Sequence, residues 1–353
     1  MIEKNFITSL SQFDLTQQGK VFAKSPSNIA LVKYWGKTEP QIPTNPSISY
    51  TLTKSFTETT LTFSPKKEEI TSIDVYLDDQ KVDSFIPKIN KFFDRITSYA
   101  PYLNHFDFEI RTHNSFPHSS GIASSASGMS ALALCLIAME TQIGYTSENP
   151  LKRASFLSRL GSGSACRSVY NGLVNWGDNE YVEDSSNLYA TPLNTKINPI
   201  FKGFNDTILL IHEGSKTVSS TVGHDLMKNH PYASTRFKEA YENISKLINI
   251  LAFGDLDGFG RLVEHEALSL HAMMMTSNPA FILMKPNTVA ALEKIWSFRL
   301  ETNQPLFFTL DAGANIHLLY PTKAEKSILP FIESELLVFC QNGKAIYDQV
   351  NFD

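Results

Sequence analysis

The apolar run ALALCLIAM, residues 131–139, is the feature that most constrains the fold. Helical spacing extends this segment to residues 122–143, and Gly144 provides an end. Because such a helix is apolar nearly all round, it must be covered on every side inside a domain. The run falls well short of the roughly 20 apolar residues that span a bilayer, so the sequence predicts a buried core helix and no membrane contact.

Small polar residues come directly before this helix, in the stretch NSFPHSSGIASSASGMS at 114–130. The first backbone N–H groups of a helix lack partners and lie at the positive end of its dipole, so they form an anion site for which phosphate is the natural occupant. Gly121 permits a tight turn, and Ser124 and Ser125 offer hydroxyls to phosphate or to a cation-bound water. The alternative is a serine-capped helix with an ordinary turn, since no Walker-type Gly-Lys-Ser/Thr follows.

The stretch SPSNIALVKYWGK places two lysines four residues apart around an aromatic pair. Lys33, Lys37 and the hydroxyl of Tyr34 leave a predicted strand together, and they suit a phosphorylated ligand. Asn45 and Ser47 add polar groups near the same edge. In the alternative interpretation the lysines form a solvated pair beside a packed tryptophan.

A second run of very small residues, GSGSACRS at 161–168, contains Arg167. Small residues let a ligand approach closely, and a guanidinium matches a carboxylate or a phosphate with two parallel hydrogen bonds. A flexible turn with a surface arginine explains the same residues. Cys166 is expected to be a small packed residue rather than a nucleophile, because no histidine is near it in the sequence.

The stretch FFTLDAGANIHLLY at 307–320 places Asp311 at the end of an apolar strand. An acid in this position either forms a turn, as Asp-x-Gly often does, or is a catalytic carboxylate held by a rigid sheet. His317 is expected to be packed in or beside the following strand, and it is assigned no role.

Composition narrows the class of protein. The net charge of -5 disfavours a general nucleic-acid binder, which needs a basic face. The three cysteines are far apart, and their spacing fits neither a disulfide framework nor a structural zinc site. The N-terminal segment lacks the apolar core of a secretory signal, so a reducing cytoplasm is the predicted location.

The order of predicted elements indicates two domains, 1–195 and 196–353. In the first, strands at 21–32 and 47–63 are expected to form an exposed antiparallel pair, with helices and strands alternating after them in an α/β arrangement. A polar segment with two prolines around residue 195 marks the junction. The second domain is expected to be an α+β layer. Its predicted elements are a strand at 206–214, helices at 231–253, 255–275 and 286–297, strands PLFFTL and NIHLLYP, and a terminal helix and strand.

Together the motifs resemble the GHMP superfamily of small-molecule kinases, and within it most closely the mevalonate diphosphate decarboxylase family. SPSNIALVKYWGK looks like that family's first motif, and FPHSSGIASSASG looks like its ATP phosphate loop. RLGSGSACRSVYNGLVNW is similar to its substrate loop, and LDAGANIHLL is similar to its catalytic-aspartate segment. Weaker similarities, KTVSST at 216–221 and EALSLHAMMMTSNP at 266–279, follow in the family's order, so the resemblance covers most of the chain.

The resemblance implies a two-domain fold of the GHMP-kinase type, with the active site in the cleft between the domains, ATP and Mg²⁺ as cofactors, and a homodimer. The implied reaction is phosphorylation of the 3-hydroxyl of mevalonate 5-diphosphate, then loss of phosphate and carbon dioxide to give isopentenyl diphosphate. The nearest alternatives are a phosphomevalonate decarboxylase and a mevalonate kinase-like phosphotransferase of the same superfamily. A catalytically silent nucleotide-binding protein is the non-enzymatic alternative.

The resemblance also implies roles for individual residues. Asp311 would orient the 3-hydroxyl, Lys33 would keep that aspartate ionised, and Arg167 would hold the carboxylate that leaves as carbon dioxide. The residues expected to bind the diphosphate are Tyr34, Lys37, Ser162, Ser164 and Ser220. The residues expected to bind ATP are Pro117, Ser119, Ser120, Gly121, Ala123, Ser124 and Ser125. Ser125 is also the candidate metal ligand, with Mg²⁺ held mainly through the ATP phosphates.

The chain departs from the family pattern at several positions. Pro46 stands where the family usually has serine, and Ala314 stands where it usually has proline. His118 replaces a common threonine in the phosphate loop. Lys88, in FIPKINKFF, is the candidate substitute for an arginine that the family uses on the diphosphate. These changes bear most on the number of phosphates in the substrate.

Overall fold

One long antiparallel strand pair organises the first half of the chain, and the predicted pairing is confirmed. The expectation that the pair is exposed is wrong, because residues 27–32 and 47–52 are all buried. The computed structural model describes residues 3–117, 124–214 and 220–352. In it, β1 (Gly19–Val32) pairs antiparallel with β4 (Ser47–Pro65). Every second residue of β4 from Ser55 to Phe63 is buried. This buried face is apolar towards Phe63 and carries threonines towards Ser55, so one end of it is polar.

The strand pair belongs to a seven-stranded mixed sheet. Its further strands are β5 (Ile73–Leu77), β6 (Gln80–Lys81), β7 (Phe106–Asn114), β8 (Leu173–Trp176) and β9 (Ala190–Pro192). The strand order is β6-β5-β7-β4-β8-β9, with β1 also paired to β4. β5 and β7 run parallel, whereas the other pairs are antiparallel. A separate short pair, β2 (Lys37–Thr38) and β3 (Ile42–Pro43), follows β1 and carries Lys37.

Three helices pack with this sheet around one core: α1 (Ile86–Ile96), α2 (Ser124–Gln142) and α3 (Pro150–Gly161). α2, the predicted buried helix, packs on β1 and β4 and against α3. The length and composition of α2 would also suit a membrane span, but 67% of its apolar window is buried inside the fold, as in a core helix. α3 ends at Gly161, the first residue of the small-residue run GSGSACRS.

The second half of the described chain is built on an antiparallel sheet of four strands. These strands are β10 (Phe204–Leu209), β11 (Phe307–Thr309), β12 (Ile316–Pro321) and β13 (Ala345–Gln349), in the order β11-β12-β10-β13. Its helices are α4 (Pro199–Lys202), α5 (Ser220–Asp225), α6 (Ala233–Phe253), α7 (Leu256–Met275), α8 (Pro286–Thr302) and α9 (Glu325–Phe331). The predicted α+β layer is therefore present. The boundary near residue 195 falls in the connection between β9 and α4, and it stays a prediction.

The two halves are held together beside β4 and at the end of β1. Asp348 of β13 accepts the backbone N–H groups of Lys54 at 2.7 Å and Ser55 at 2.6 Å. One hydrophobic core includes Leu31 of β1 together with Phe259 of α7. Because β1 packs on α7, the residues that follow β1 emerge at the junction of the two halves.

Candidate active site

Lys33 and Asp311 form an ion pair across this junction. Lys33 follows β1, Asp311 follows β11, and Nζ of the lysine lies 2.9 Å from Oδ1 of the aspartate. The lysine side chain is 2% exposed and the aspartate side chain 32% exposed, so the carboxylate faces open space. Burial lowers the pKa of Lys33, and the charge of Asp311 acts in the opposite direction. A positive charge at this distance favours the charged form of a carboxylate.

Two residues of α7 hold this ion pair in place. Glu266 accepts the backbone N–H of Lys33 at 2.8 Å, and it is itself bound by Arg236 and Asn243. Nε2 of His271 lies 3.1 Å from the backbone oxygen of Asp311. The sequence noted the segment 266–279 only as a weak similarity and assigned it no role. The structure shows that this segment positions both ends of the ion pair.

Arg167 lies in the same cluster, on the 3₁₀ helix Gly163–Val169. Its Nε and Nη2 donate to Oδ1 of Asn28 at 3.3 and 3.2 Å, and its Nη1 donates to the hydroxyl of Ser47. The residue is 3% exposed, and burial lowers its pKa, while Asp311 is among the groups that raise it. No described carboxylate lies within ion-pair distance of Arg167. A buried guanidinium with only neutral partners is suited to an anionic ligand.

Three of the residues predicted to bind the substrate tail, Tyr34, Ser162 and Ser164, lie at Gly163. An added Cβ there would lie 3.0 Å from the hydroxyl of Tyr34, so this hydroxyl lies against the backbone between Ser162 and Ser164. Tyr34 also packs edge-on against Trp176, with the ring centroids 4.7 Å apart. The structure therefore brings Tyr34 together with the small-residue loop.

Lys37 is the second cation in this region without a described acidic partner. It is 7% exposed, and its Nζ donates to Oε1 of Gln41 at 2.8 Å. Burial lowers its pKa. Since Lys33 is buried as well, the alternative of a solvated lysine pair is wrong. Trp35 is packed, as that interpretation also expected.

The described serines at the N-terminal end of α2 face the small-residue loop 161–168. Ser125 donates to the hydroxyl of Ser162 at 3.3 Å, and Nζ of Lys88 donates to Ser125 at 2.7 Å. Desolvation lowers the pKa of Lys88. Pro117 is exposed at the end of the described segment before the helix. Four of the predicted ATP-binding residues lie outside the described residues: Ser119, Ser120, Gly121 and Ala123.

A cavity of about 290 Å³ opens beside this mouth, between β4, β7, α1 and α2. Ser124, Ser125 and Lys88 line one part of its wall. The remaining wall combines polar and apolar side chains: Thr57, Thr59, Thr112, Asn114, Leu77, Phe85, Ile89, Ile110, Met129 and Leu132, with Gly128. The polar end of the buried β4 face thus becomes the polar side of a ligand-sized cavity.

Several residues outside the predicted set contribute to the site or border it. Asn28, which binds Arg167, is the polar residue directly before the apolar run IALV of β1, and that pattern is a usable signal. His224 of α5 accepts the N–H of Gly36, and no sequence pattern indicated this contact. Ser220 begins α5, but its side chain lies outside the described residues.

Two residues are packed, as the sequence predicted. Cys166 is buried in a small cluster, and burial raises the pKa of its thiol to about 12. His317 lies in β12, buried and paired with Asp206 through Nδ1 at 2.8 Å. Among the residues that the structure describes, no group of three His, Cys, Asp or Glu side chains could hold a metal ion. Ser125 as a metal ligand stays a prediction.

Comparison with known proteins identifies the family. Residues 25–187 match the profile of the diphosphomevalonate decarboxylase-like N-terminal domain, and residues 207–351 match that of the mevalonate 5-diphosphate decarboxylase C-terminal domain. The crystal structure of mevalonate diphosphate decarboxylase from Staphylococcus aureus is 30% identical, with a TM-score of 0.80 over 96% of this chain and 97% of that one. The chain belongs to the diphosphomevalonate decarboxylase family. Its fold is therefore the two-domain GHMP-kinase type that the motifs predicted.

Other relatives describe what this family binds. A structure of MDDEF in complex with MVAPP, AMPPCP and magnesium is 25% identical, with a TM-score of 0.81 over 95% of this chain and 98% of that one. Diphosphomevalonate decarboxylase of Debaryomyces hansenii is 28% identical, over 88% of this chain and 81% of its own length. Phosphomevalonate decarboxylase of Haloferax volcanii is also 28% identical, over 85% of this chain and 87% of its own length.

Proposed function

We propose that this chain catalyses the ATP-dependent decarboxylation of mevalonate 5-diphosphate. Phosphorylation of the 3-hydroxyl is followed by loss of phosphate and carbon dioxide, and the product is isopentenyl diphosphate. One observation carries this proposal: Asp311, paired with Lys33, shares a cluster with Arg167, a buried cation whose described hydrogen-bond partners are the neutral Asn28 and Ser47. A kinase needs only the acid, whereas a decarboxylase also needs a group that holds the leaving carboxylate.

In the first step Asp311 would accept a hydrogen bond from the 3-hydroxyl and align its oxygen on the terminal phosphate of ATP. Lys33 supports this role because its ammonium, 2.9 Å away, favours the charged carboxylate. His271 contacts the backbone oxygen of Asp311 and so holds this residue in place. This step converts a poor leaving group into a good one.

In the second step the departing phosphate leaves positive charge developing at C3 of the substrate. The carboxylate of Asp311 stabilises this charge electrostatically, which is most effective in a preorganised and buried site. Arg167 would hold the substrate carboxylate until the C–C bond breaks. The bonds from Asn28 and Ser47 fix the plane of the guanidinium, so it presents a defined edge to that group.

ATP would lie with its phosphates at the mouth of α2. Ser124, Ser125 and Lys88 supply donors there, and the 290 Å³ cavity behind them would take the base. Pro117, Ser119, Ser120, Gly121 and Ala123 complete the proposed phosphate loop. Mg²⁺, when bound through the ATP phosphates with Ser125 as its candidate protein ligand, neutralises phosphate charge. The ammonium of Lys88, which donates to Ser125, would add to that neutralisation.

The diphosphate tail would be bound by Tyr34, Lys37, Ser162, Ser164 and Ser220. Lys37 supports this because it is a buried cation whose described polar partner is the neutral Gln41. Binding energy from the tail holds the reacting end of the substrate in place.

Mevalonate 5-phosphate is the second candidate substrate, because the chain is as similar to a phosphomevalonate decarboxylase as to the diphosphate enzymes. The protein should be incubated with ATP, Mg²⁺ and mevalonate, its 5-phosphate or its 5-diphosphate, and released carbon dioxide and phosphate measured. We expect the highest kcat/KM for the diphosphate. Faster turnover of the monophosphate would reassign the substrate, ADP without carbon dioxide would indicate a kinase, and nucleotide binding without turnover would indicate a silent protein.

We further propose a homodimer in the cytoplasm, with domains divided near residue 195. Val289, Trp296 and Leu300 lie exposed on one face of α8, and a second copy would cover this apolar surface. The three cysteines are free and buried, as is usual in a reducing compartment. Light scattering on the purified chain should give the dimer mass, and Leu300→Glu should give the monomer. A wild-type monomer would contradict the assembly.

A further inference from the structure

His224 of α5 contacts the residues that follow β1. Its Nδ1 accepts the backbone N–H of Gly36 at 2.9 Å. The imidazole packs on Tyr34 and Trp35, with ring centroids 4.3 and 4.6 Å away. The histidine is 7% exposed, so this is a buried contact between the two halves of the protein. The residues that His224 contacts belong to the segment that links Lys33 to Lys37.

The backbones on both sides of this contact are closely fitted. Gly36 has a φ of +98°, and an added Cβ there would lie 2.6 Å from Oγ1 of Thr44. A Cβ at Gly223 would lie 2.5 Å from the indole of Trp35. Both positions therefore require glycine, one for its left-handed conformation and the other for close approach. The close packing therefore restricts how α5 can lie against the turn that follows β1.

The protonation state of His224 follows from its partner. A backbone N–H can only donate, so Nδ1 must be the unprotonated nitrogen and Nε2 carries the proton. Burial, followed by the nearby charge of Lys37, lowers the pKa of His224 to about 3. The ring is therefore a neutral acceptor at physiological pH. Removing that acceptor would leave the buried Gly36 N–H unpaired.

We propose that His224 is a positioning residue for the substrate tail. It fixes the turn at Gly36, and with it the side chains of Tyr34 and Lys37, against the helix that begins at Ser220. This inference rests on the proposed function, which assigns Tyr34, Lys37 and Ser220 to the diphosphate. A binding site whose side chains are already fixed loses little conformational entropy when its ligand binds. His224 thus makes residues from two domains into one binding surface.

Two variants test separately the effect of losing the hydrogen-bond acceptor and the effect of changing the side chain. His224→Asn keeps an oxygen near the position of Nδ1, whereas His224→Leu keeps bulk and has no acceptor. His105→Leu, at an exposed histidine, is the control. Amide hydrogen exchange of Gly36 is measured in the ligand-free protein. Exchange should be about tenfold faster or more in His224→Leu, and close to wild type in His224→Asn and the control. If His224→Leu does not fold, His224→Gln, whose acceptor is displaced, replaces it.

Calorimetric affinities then test the consequence. His224→Leu should weaken binding of mevalonate 5-diphosphate about tenfold, leave ATP binding near wild type, and be largely rescued in His224→Asn. Equal losses for both ligands would mean a general structural role and overturn the proposal. Unchanged exchange at Gly36, or faster exchange with unchanged affinity, would also overturn it. If the wild-type chain binds the diphosphate but does not turn it over, only the proposed function is refuted. The role of His224 is still tested by the affinities of its variants.

Discussion

Lys33 and Asp311 are 278 residues apart in the chain, yet their side chains meet at 2.9 Å. Each residue follows a strand of a different sheet, so the pair exists only when the two halves are docked. Glu266 holds the lysine backbone and His271 holds the aspartate backbone, both from α7. The reacting acid is therefore placed by rigid elements, which is the arrangement that positional catalysis requires.

Asp311→Asn should remove most turnover and spare nucleotide binding. The amide is nearly isosteric but cannot carry the charge that orients the hydroxyl and stabilises C3, so kcat should fall about 10³-fold. The Kd for ATP, measured by calorimetry, should change by no more than about twofold, because the proposed phosphate donors are elsewhere. A variant that retains near wild-type kcat would remove Asp311 from the chemistry.

Arg167→Lys should separate charge from geometry. Lysine keeps the positive charge but cannot form two parallel bonds to a carboxylate, so kcat/KM should fall about 100-fold. Carbon dioxide and ADP are measured together, and the ratio of carbon dioxide to ADP should fall below that of the wild type. Arg261→Lys, on an exposed part of α7, is the matched control. Unchanged kinetics in Arg167→Lys would contradict the carboxylate role.

Much of the fold was predictable because its signals are local. The β1–β4 pair and the buried α2 follow from alternation and from an apolar helix. The predicted strand 206–214 ends earlier, at Leu209, although the apolar residues continue. Leu210 and Ile211 are buried without belonging to the strand. The backbone of Leu210 still donates to Lys344 at 3.2 Å and accepts from Gln341 at 2.8 Å, so hydrogen bonding continues past the regular strand, and the sequence does not show where that strand ends.

The residues of the candidate site were predictable from the sequence, but the contacts between them were not. Motifs identified the acid, the buried lysines and Arg167, because each pattern carries its chemistry locally. The Lys88–Ser125 bond joins residues 37 positions apart, and the His224–Gly36 bond joins residues 188 positions apart. Such contacts depend on how helices pack, and α5 carries no pattern that indicates its partner. By contrast, Asn28, the polar residue directly before the apolar run IALV of β1, could have been identified from sequence.

Lys88→Met should weaken ATP binding more than substrate binding. Methionine keeps the length of the side chain but removes the ammonium that donates to Ser125 at the helix mouth. Loss of one charged donor to phosphate should raise the KM for ATP about tenfold. Lys238→Met, at an exposed lysine of α6, is the control for loss of charge. If only the KM for the diphosphate rises, Lys88 instead replaces the arginine that the family uses on the substrate.

Acidification should destabilise the wild type more than His224→Asn. The folded pKa of His224 is about 3, below its ordinary value of 6.5, so between these values the unfolded state binds more protons. The free energy of unfolding therefore falls as pH falls through this window, by about 2 kcal/mol at pH 5 from this group. Lys37 is the charged group that faces the ring, and burial lowers the pKa of its ammonium. Urea unfolding at pH 7.5 and pH 5 measures the effect, and parallel losses in the two proteins would contradict it.

Substitutions at Gly128 should show whether the cavity beside α2 takes the nucleotide base. Gly128 lies inside α2 and lines the cavity, and an added Cβ would meet nothing within 4 Å. Gly128→Ala should therefore stabilise the helix by about 0.5–1 kcal/mol, measured by urea unfolding, with little effect on ATP. Gly128→Phe should fill the cavity and raise the KM for ATP at least about tenfold, while the Kd for mevalonate 5-diphosphate stays near wild type. An unchanged KM for ATP in a folded Gly128→Phe protein would place the base elsewhere.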